Sequence, residues 1–213
     1  MFVRACSPNL PDRNQGRIVV VLATLLLASG CVTTRTGVPL PELDSWESRV
    51  AVLGRQSHWE FNGRIAVKAG DEGFNGKISW SQQASAFSTT VAGPLGVGAV
   101  RIEGDDSGIV LTDNDGLQTV MEDPESELMW RYGWSIPVAS LRYWALGIPD
   151  PARPAITEFD AEGRLRSLEQ GNWRVDIARY REAAGQSMPR ILTATNPETR
   201  VRMVFDSWLF LGR

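Results

Sequence analysis

The stretch His58-Trp-Glu-Phe-Asn-Gly-Arg-Ile-Ala-Val-Lys68 alternates apolar and polar side chains with a period of two. Trp59, Phe61, Gly63, Ile65 and Val67 fall on one side; His58, Glu60, Asn62, Arg64 and Lys68 fall on the other. A helix would scatter both sets around its axis, so the pattern specifies a strand with one buried and one wet face. Gly73 to Gln82 repeats it, with Phe74, Gly76, Ile78 and Trp80 set against Asn75, Lys77, Ser79 and Ser81. The turn between the two holds Gly70-Asp71-Glu72-Gly73. One-faced strands joined by short turns belong to antiparallel sheets, which need an apolar layer against a single face.

The same period continues along the chain. Phe87, Thr89 and Val91 form a third strand, and Val100 and Ile102 a fourth. Ile109–Thr112 and Leu117–Met121 flank Asn114-Asp115-Gly116, a strong hairpin turn. Further strands are expected near Leu165–Leu168, Trp173–Tyr180, Arg190–Thr195 and Arg200–Asp206. Helical spacing appears in two places. Leu43, Trp46, Val50 and Leu53 make an apolar stripe within Glu42–Gln56, with Glu47, Arg49 and Arg55 off it. After Asp123, a cap, and Pro124, suited to a first helical position, two short helices rich in Trp130, Trp134, Leu141, Tyr143, Trp144 and Leu146 interrupt the strands. Nine or more strands and these helices predict a mainly antiparallel β (α+β) fold, one strongly curved sheet without an internal repeat.

The N-terminus obeys different rules. Arg4, Arg13 and Arg17 precede the uncharged run Ile18–Leu27. That run is far short of the ~20 residues needed to span a bilayer but suits a signal peptide. Ala28-Ser29-Gly30-Cys31 follows and resembles the lipobox of bacterial lipoproteins, with Ala28 standing where Leu is usual. That resemblance implies removal of residues 1–30 and acylation of Cys31. The only other cysteine, Cys6, lies in the segment to be removed, so the mature chain can form no internal disulfide. Residues 31–41, polar and proline-ended, read as a lipidated tether, and 42–213 as a single domain. Val32 rather than Asp after the cysteine implies, by the same resemblance, an outer-membrane anchor with the domain facing the periplasm. Removing Arg4, Arg13, Arg17 and Asp12 from 22 basic and 25 acidic residues leaves 19 and 24, a net charge of −5. Nucleic acid is therefore a disfavoured partner.

Catalytic chemistry finds little to work with. His58 is the sole histidine and falls on the polar side of its strand. No Cys/His cluster offers a metal site, and the pairs Asp105-Asp106 and Glu122-Asp123 sit at turns or caps. The expectation is no enzyme, no metal and no cofactor. Gly93-Pro-Leu-Gly-Val-Gly98 is glycine-rich, but no Lys-Ser/Thr follows and a strand, not a helix, comes next. The loop is then either a hairpin tip folded back on the core or an exposed apolar finger. The aromatic strand faces likewise allow either a filled core or an apolar cavity beneath a helical lid.

Several short motifs, taken in order, resemble the LolB family of bacterial lipoprotein receptors. They are Gly63-Arg-Ile-Ala-Val67, Gly73-Phe-Asn-Gly76 with Ser79-Trp80, Gly93-Pro-Leu-Gly96, and Gly133-Trp134 with Ile136-Pro-Val138 and Tyr143-Trp144. The resemblance implies an incomplete barrel with a helical lid over a hydrophobic cavity. It implies that acylated lipoproteins are received from a soluble periplasmic carrier, LolA-like, and inserted into outer-membrane lipid without ATP. It assigns the loop Gly93, Pro94, Leu95 and Gly96 to membrane delivery. Trp59, Phe61, Ile65, Ile78, Trp80 and Trp144 are the candidates for the acyl cavity, and the chain is expected to act as a monomer. A structural or assembly lipoprotein that holds a protein partner through its apolar surface is the alternative.

Overall fold

The computed structural model describes residues 36–96, 98–132 and 136–212. Cys31, the signal segment and tether residues 32–35 lie outside the described residues, as do Val97, Gly133 and Trp134. Gly37–Arg213 forms one compact unit that holds all the described strands and the whole described core.

That unit is built on one antiparallel sheet of eleven strands. They are β1 (His58–Ala69), β2 (Glu72–Gln83), β3 (Ala86–Ala92), β4 (Val100–Asp105), β5 (Gly108–Thr112) and β6 (Gln118–Met121), then β7 (Ile156–Phe159), β8 (Leu165–Gln170), β9 (Trp173–Ala183), β10 (Gln186–Thr195) and β11 (Thr199–Phe210). Their spatial order is β6-β5-β4-β3-β2-β1-β11-β10-β9-β8-β7. The sheet folds as two hairpin-linked halves that meet where β1 pairs β11. β6 and β7 are its two unpaired edges, so the ladder does not close into a barrel. The alternation in the sequence sets which face is buried: Trp59, Phe61, Ile65, Ile78 and Trp80 point inward, while Asn62, Arg64, Lys68, Lys77 and Ser79 point out. The β1–β2 turn is tighter than expected. Ala69 pairs Glu72, leaving only Gly70 and Asp71, and Gly70 takes a positive φ of 57°. At Gly63, next to a β-bulge, a Cβ would come within 2.3 Å of the Val204 carbonyl oxygen, so only glycine allows β11 so close.

Among the described residues three α-helices accompany the sheet: α1 (Trp46–Leu53), α2 (Pro124–Tyr132) and α3 (Val138–Ala145). α1 is shorter than the expected 42–56 because Ser45 caps it. The Ser45 hydroxyl accepts from the Ser48 N–H at 3.1 Å, and the Ser48 hydroxyl accepts from the Ser45 N–H at 3.2 Å. Arg49, read as lying off the apolar stripe, is instead buried. Its guanidinium donates to the Ser187 carbonyl at 2.7 Å and stands over the Tyr180 ring, and burial pushes its pKa down. Ahead of α1, a strap docks on the sheet: the Val38 N–H donates to Phe210 and the Leu40 N–H to Ala184. β7 had no counterpart in the sequence reading. Asp123 caps α2 as its sequence suggests, accepting from the Ser126 N–H at 3.2 Å, but Trp130 on that helix is exposed.

The core under β1, β2 and β11 is an aromatic stack. Phe61 lies between Trp59, Trp80, Phe205 and Trp208 with centroid distances of 5.0–6.1 Å. α3 closes the other half of the unit, where Trp144 meets Trp173 at 5.9 Å.

Candidate functional site

Between the inner face of β1–β5 and the start of α3 lies a cavity of about 260 Å³. Ile65, Ile78, Trp80, Val91, Ile102 and Leu111 rise into it from the sheet, and Ile136, Val138 and Leu141 close it from the helix side. Two wall residues carry a polar side-chain group, and both are spent: the Thr89 hydroxyl donates to the Ser79 carbonyl at 2.8 Å and the Trp80 indole N–H to the Gln82 side-chain oxygen at 3.1 Å. No polar group is left to orient a ligand, so selection here is by burial of apolar surface alone.

The cavity divides the sequence candidates. Ile65, Ile78 and Trp80 stand in its wall. Trp59, Phe61 and Trp144 do not; they are 1–2% exposed and packed on other aromatics. The wall includes residues that the sequence reading passed over: Val91, Val100, Ile102, Leu111, Ile136 and Val138, each only half-buried. For Val91, Val100, Ile102 and Leu111 the available signal was their place on the same alternating face, but that face also contains the filled core; Ile136 and Val138 come from the start of the helix and carried no such signal.

Gly93-Pro94-Leu95-Gly96 follows β3 directly. Pro94–Gly96 forms a single 3-10 turn, closed by the Gly96 N–H donating to the Gly93 carbonyl at 3.0 Å. Gly96 and Gly98 take positive φ of 81° and 64° with open space where a Cβ would stand. The Leu95 side chain and Val97 lie outside the description. The loop springs from β3 over Gly76, where a Cβ would meet the Ala92 carbonyl oxygen at 2.3 Å. Its first residues, Gly93 and Pro94, also line a groove of about 280 Å³ on the outer face of the sheet together with Arg64, Lys77 and Arg202.

The polar groups near α3 serve structure. Ser140 donates to Asp150 at 2.7 Å, and the Trp144 indole N–H donates to Gln170 at 2.9 Å. On the outer face, the Arg190 and Arg64 guanidinium groups hold the Asp206 carboxyl below its ordinary pKa.

Comparison with known proteins gives this arrangement a context. A family model described as "Outer membrane lipoprotein LolB" matches residues 57–208. The outer-membrane lipoprotein LolB of Nitrosococcus oceani is 32% identical over 196 residues, covering 90% of this chain and 96% of that one. The protein of the same name from Alkalilimnicola ehrlichii is 30% identical over 196 residues, covering 91% and 97%. Among solved structures, a LolA superfamily protein from Nitrosomonas europaea superposes with a TM-score of 0.51 at 6% identity, over 75% of this chain and 88% of that one. At that identity its likeness is one of fold alone. With the family model spanning most of the sheet and relatives matched over nearly their full length, the chain belongs to the LolB family of outer-membrane lipoproteins.

Proposed function

We propose that this protein is an outer-membrane receptor that takes acylated lipoproteins from a soluble, LolA-like periplasmic carrier and passes them into the membrane. The single observation that carries the reading is the cavity between β1–β5 and α3, whose wall leaves no free polar group. Each acyl methylene moved out of water contributes ~0.8 kcal/mol, so such a wall holds a lipid tail without any specific contact. Family membership supports the same role.

The mechanism is non-covalent. Acyl chains enter between α3 and the inner sheet face and displace whatever water is there. Transfer runs downhill without ATP when the cavity binds more tightly than the carrier and less tightly than the bilayer. At about 260 Å³ the cavity lies just below the ~300–1,000 Å³ usual for small-molecule pockets. A cargo with several acyl chains therefore requires α3 to move away from the sheet. Acylation of Cys31 holds the receptor at the outer membrane, and Leu95, at the middle of its 3-10 turn, leads the cargo into lipid.

The test is a two-step transfer. Carrier loaded with acylated lipoprotein is mixed with the purified Gly37–Arg213 unit, and then with liposomes. Movement of cargo to the unit and then into lipid supports the reading. Binding of the carrier without uptake of cargo would point to an assembly role instead.

A further inference from the structure

The outer face of the sheet concentrates positive charge in one region. Lys68 and Arg200 stand directly opposite each other across the β1–β11 ladder, and Arg64 and Lys77 across the β1–β2 ladder. Arg202 faces Ala66 between them. All five are exposed, and Lys68 and Lys77 are the only lysines in the chain. Like charges set directly opposite on a ladder are destabilising, so two such pairs oppose folding. Asp206 offsets one of them, ion-paired to Arg64 at 3.2 Å and shared with Arg190 at 2.8 Å. Among the described residues, Lys68, Lys77, Arg200 and Arg202 make no ion pair.

Two further features give this patch a direction. The groove beside the Gly93–Gly98 loop is lined by Gly93 and Pro94 together with Arg64, Lys77 and Arg202, and Lys77 pairs Ala92, the residue just before Gly93, so the charge borders the start of the loop. Asp105, Asp106, Glu122 and Asp123 gather at the opposite end of the strands, around a separate cleft. The turns at the loop's own end also hold acids, Asp71, Asp113, Asp115 and Glu198, so the excess of positive charge belongs to the outer strand face and not to that whole end.

We infer that this basic face binds the phosphate groups of anionic phospholipids in the bilayer and so seats the Gly93–Gly98 loop on the membrane. The inference rests on the delivery role proposed above. It also fits the chain's reach. The six peptide units from Cys31 to Gly37 span at most ~22 Å. The strap docks beside Phe210, level with Trp59, and the ten residues from there to the tip of β1 extend ~34 Å. An acylated chain cannot stand on that tip; lying on the outer face of β1 and β11, it reaches the membrane at both ends.

Vesicle co-sedimentation of the Gly37–Arg213 unit tests this, with melting of each variant as the check on folding. Phosphatidylcholine vesicles are compared with vesicles also containing phosphatidylglycerol, at low and high salt. Binding should require phosphatidylglycerol and fall with salt. Each basic side chain at an anionic surface contributes roughly fivefold, so Lys68→Gln with Arg200→Gln should weaken binding about 25-fold. Removal of the like-charge pair should leave melting unchanged or raised, and Arg55→Gln, exposed elsewhere, should bind as the parent does. Equal binding to both vesicle types, or no effect of the double variant, overturns the proposal. So does a loss confined to carrier binding, which would make the patch a protein-docking site. Cargo uptake in solution is scored separately: uptake without anionic-lipid binding defeats the patch and leaves the receptor role standing, and the reverse result defeats the receptor role alone.

Discussion

The indole N–H of Trp144 on α3 donates to the side-chain carbonyl of Gln170 on β8 at 2.9 Å, with both residues buried. The same oxygen accepts from the Asp150 N–H, and the Gln170 amide donates to the Asp150 and Arg153 carbonyls. One side chain thus satisfies four buried or half-buried groups and ties the lid helix, and the loop after it, to the sheet. Gln170→Leu would orphan them together. At about 1–3 kcal/mol for a buried group left unpaired, the variant should lose at least 2–4 kcal/mol, read as a lower urea midpoint.

Cavity and core should separate under mutation. Phe61→Ala removes a ring from the aromatic stack and should cost about 3–5 kcal/mol, with acyl binding little changed in whatever protein remains folded. Ile102→Ser, at a half-buried position in the cavity wall, should cost less than about 1.5 kcal/mol yet weaken binding of a fluorescent fatty acid several-fold. The comparison of melting and titration for the two variants decides it. Equal losses in both readings would mean that the cavity is not the binding site.

Leu95→Glu should leave stability within about 0.5 kcal/mol of the parent, as expected of a surface change. Uptake of cargo should persist and insertion into liposomes should fail, because a charged tip resists the bilayer. A large fall in melting temperature would make Leu95 a core residue.

Asp206 is held below its ordinary pKa first by the hydrogen bond from Arg190 and then by Arg64. A lowered value means that the folded state favours the ionised form. The contribution is full above the ordinary carboxylate range and is lost as pH falls through the lowered value. Asp206→Asn should therefore flatten the loss of stability between about pH 5 and about pH 2. The effect should be small because the pair is partly exposed. The same change frees Arg64, so binding to phosphatidylglycerol vesicles near neutral pH should rise.

Cys31→Ala should abolish incorporation of radioactive fatty acid and release the protein from the membrane fraction. Unchanged labelling would move the anchor elsewhere.

The sheet was legible because one wet face imposes a period of two, and burial follows that period from Trp59 to Lys68 and again from Gly76 to Trp80, while between them, at the hairpin's end, even Phe74 is exposed. β7 was not legible. Ile156-Thr-Glu-Phe159 is four residues long, follows a proline-rich stretch and buries little, as an edge strand can. Arg49 was misread because its aliphatic stem and planar head pack against Tyr180, a contact 131 residues distant that no helical stripe encodes. The cavity was half legible. Phe61 and Ile78 share a face and a period; what separates them is the layer opposite, aromatic rings for one and the start of α3 for the other. That difference depends on where α3 lands, which only tertiary structure sets.

The unjoined edges β6 and β7 have a mechanical consequence. In a closed barrel, strand number and stagger together fix the girth. A ring cut once has no such restraint: it can spring wider while every rung between neighbouring strands stays intact. The space beneath α3 is then set by side chains and by the occupant, not by topology, so one framework can hold tails of differing length and number without breaking a backbone hydrogen bond.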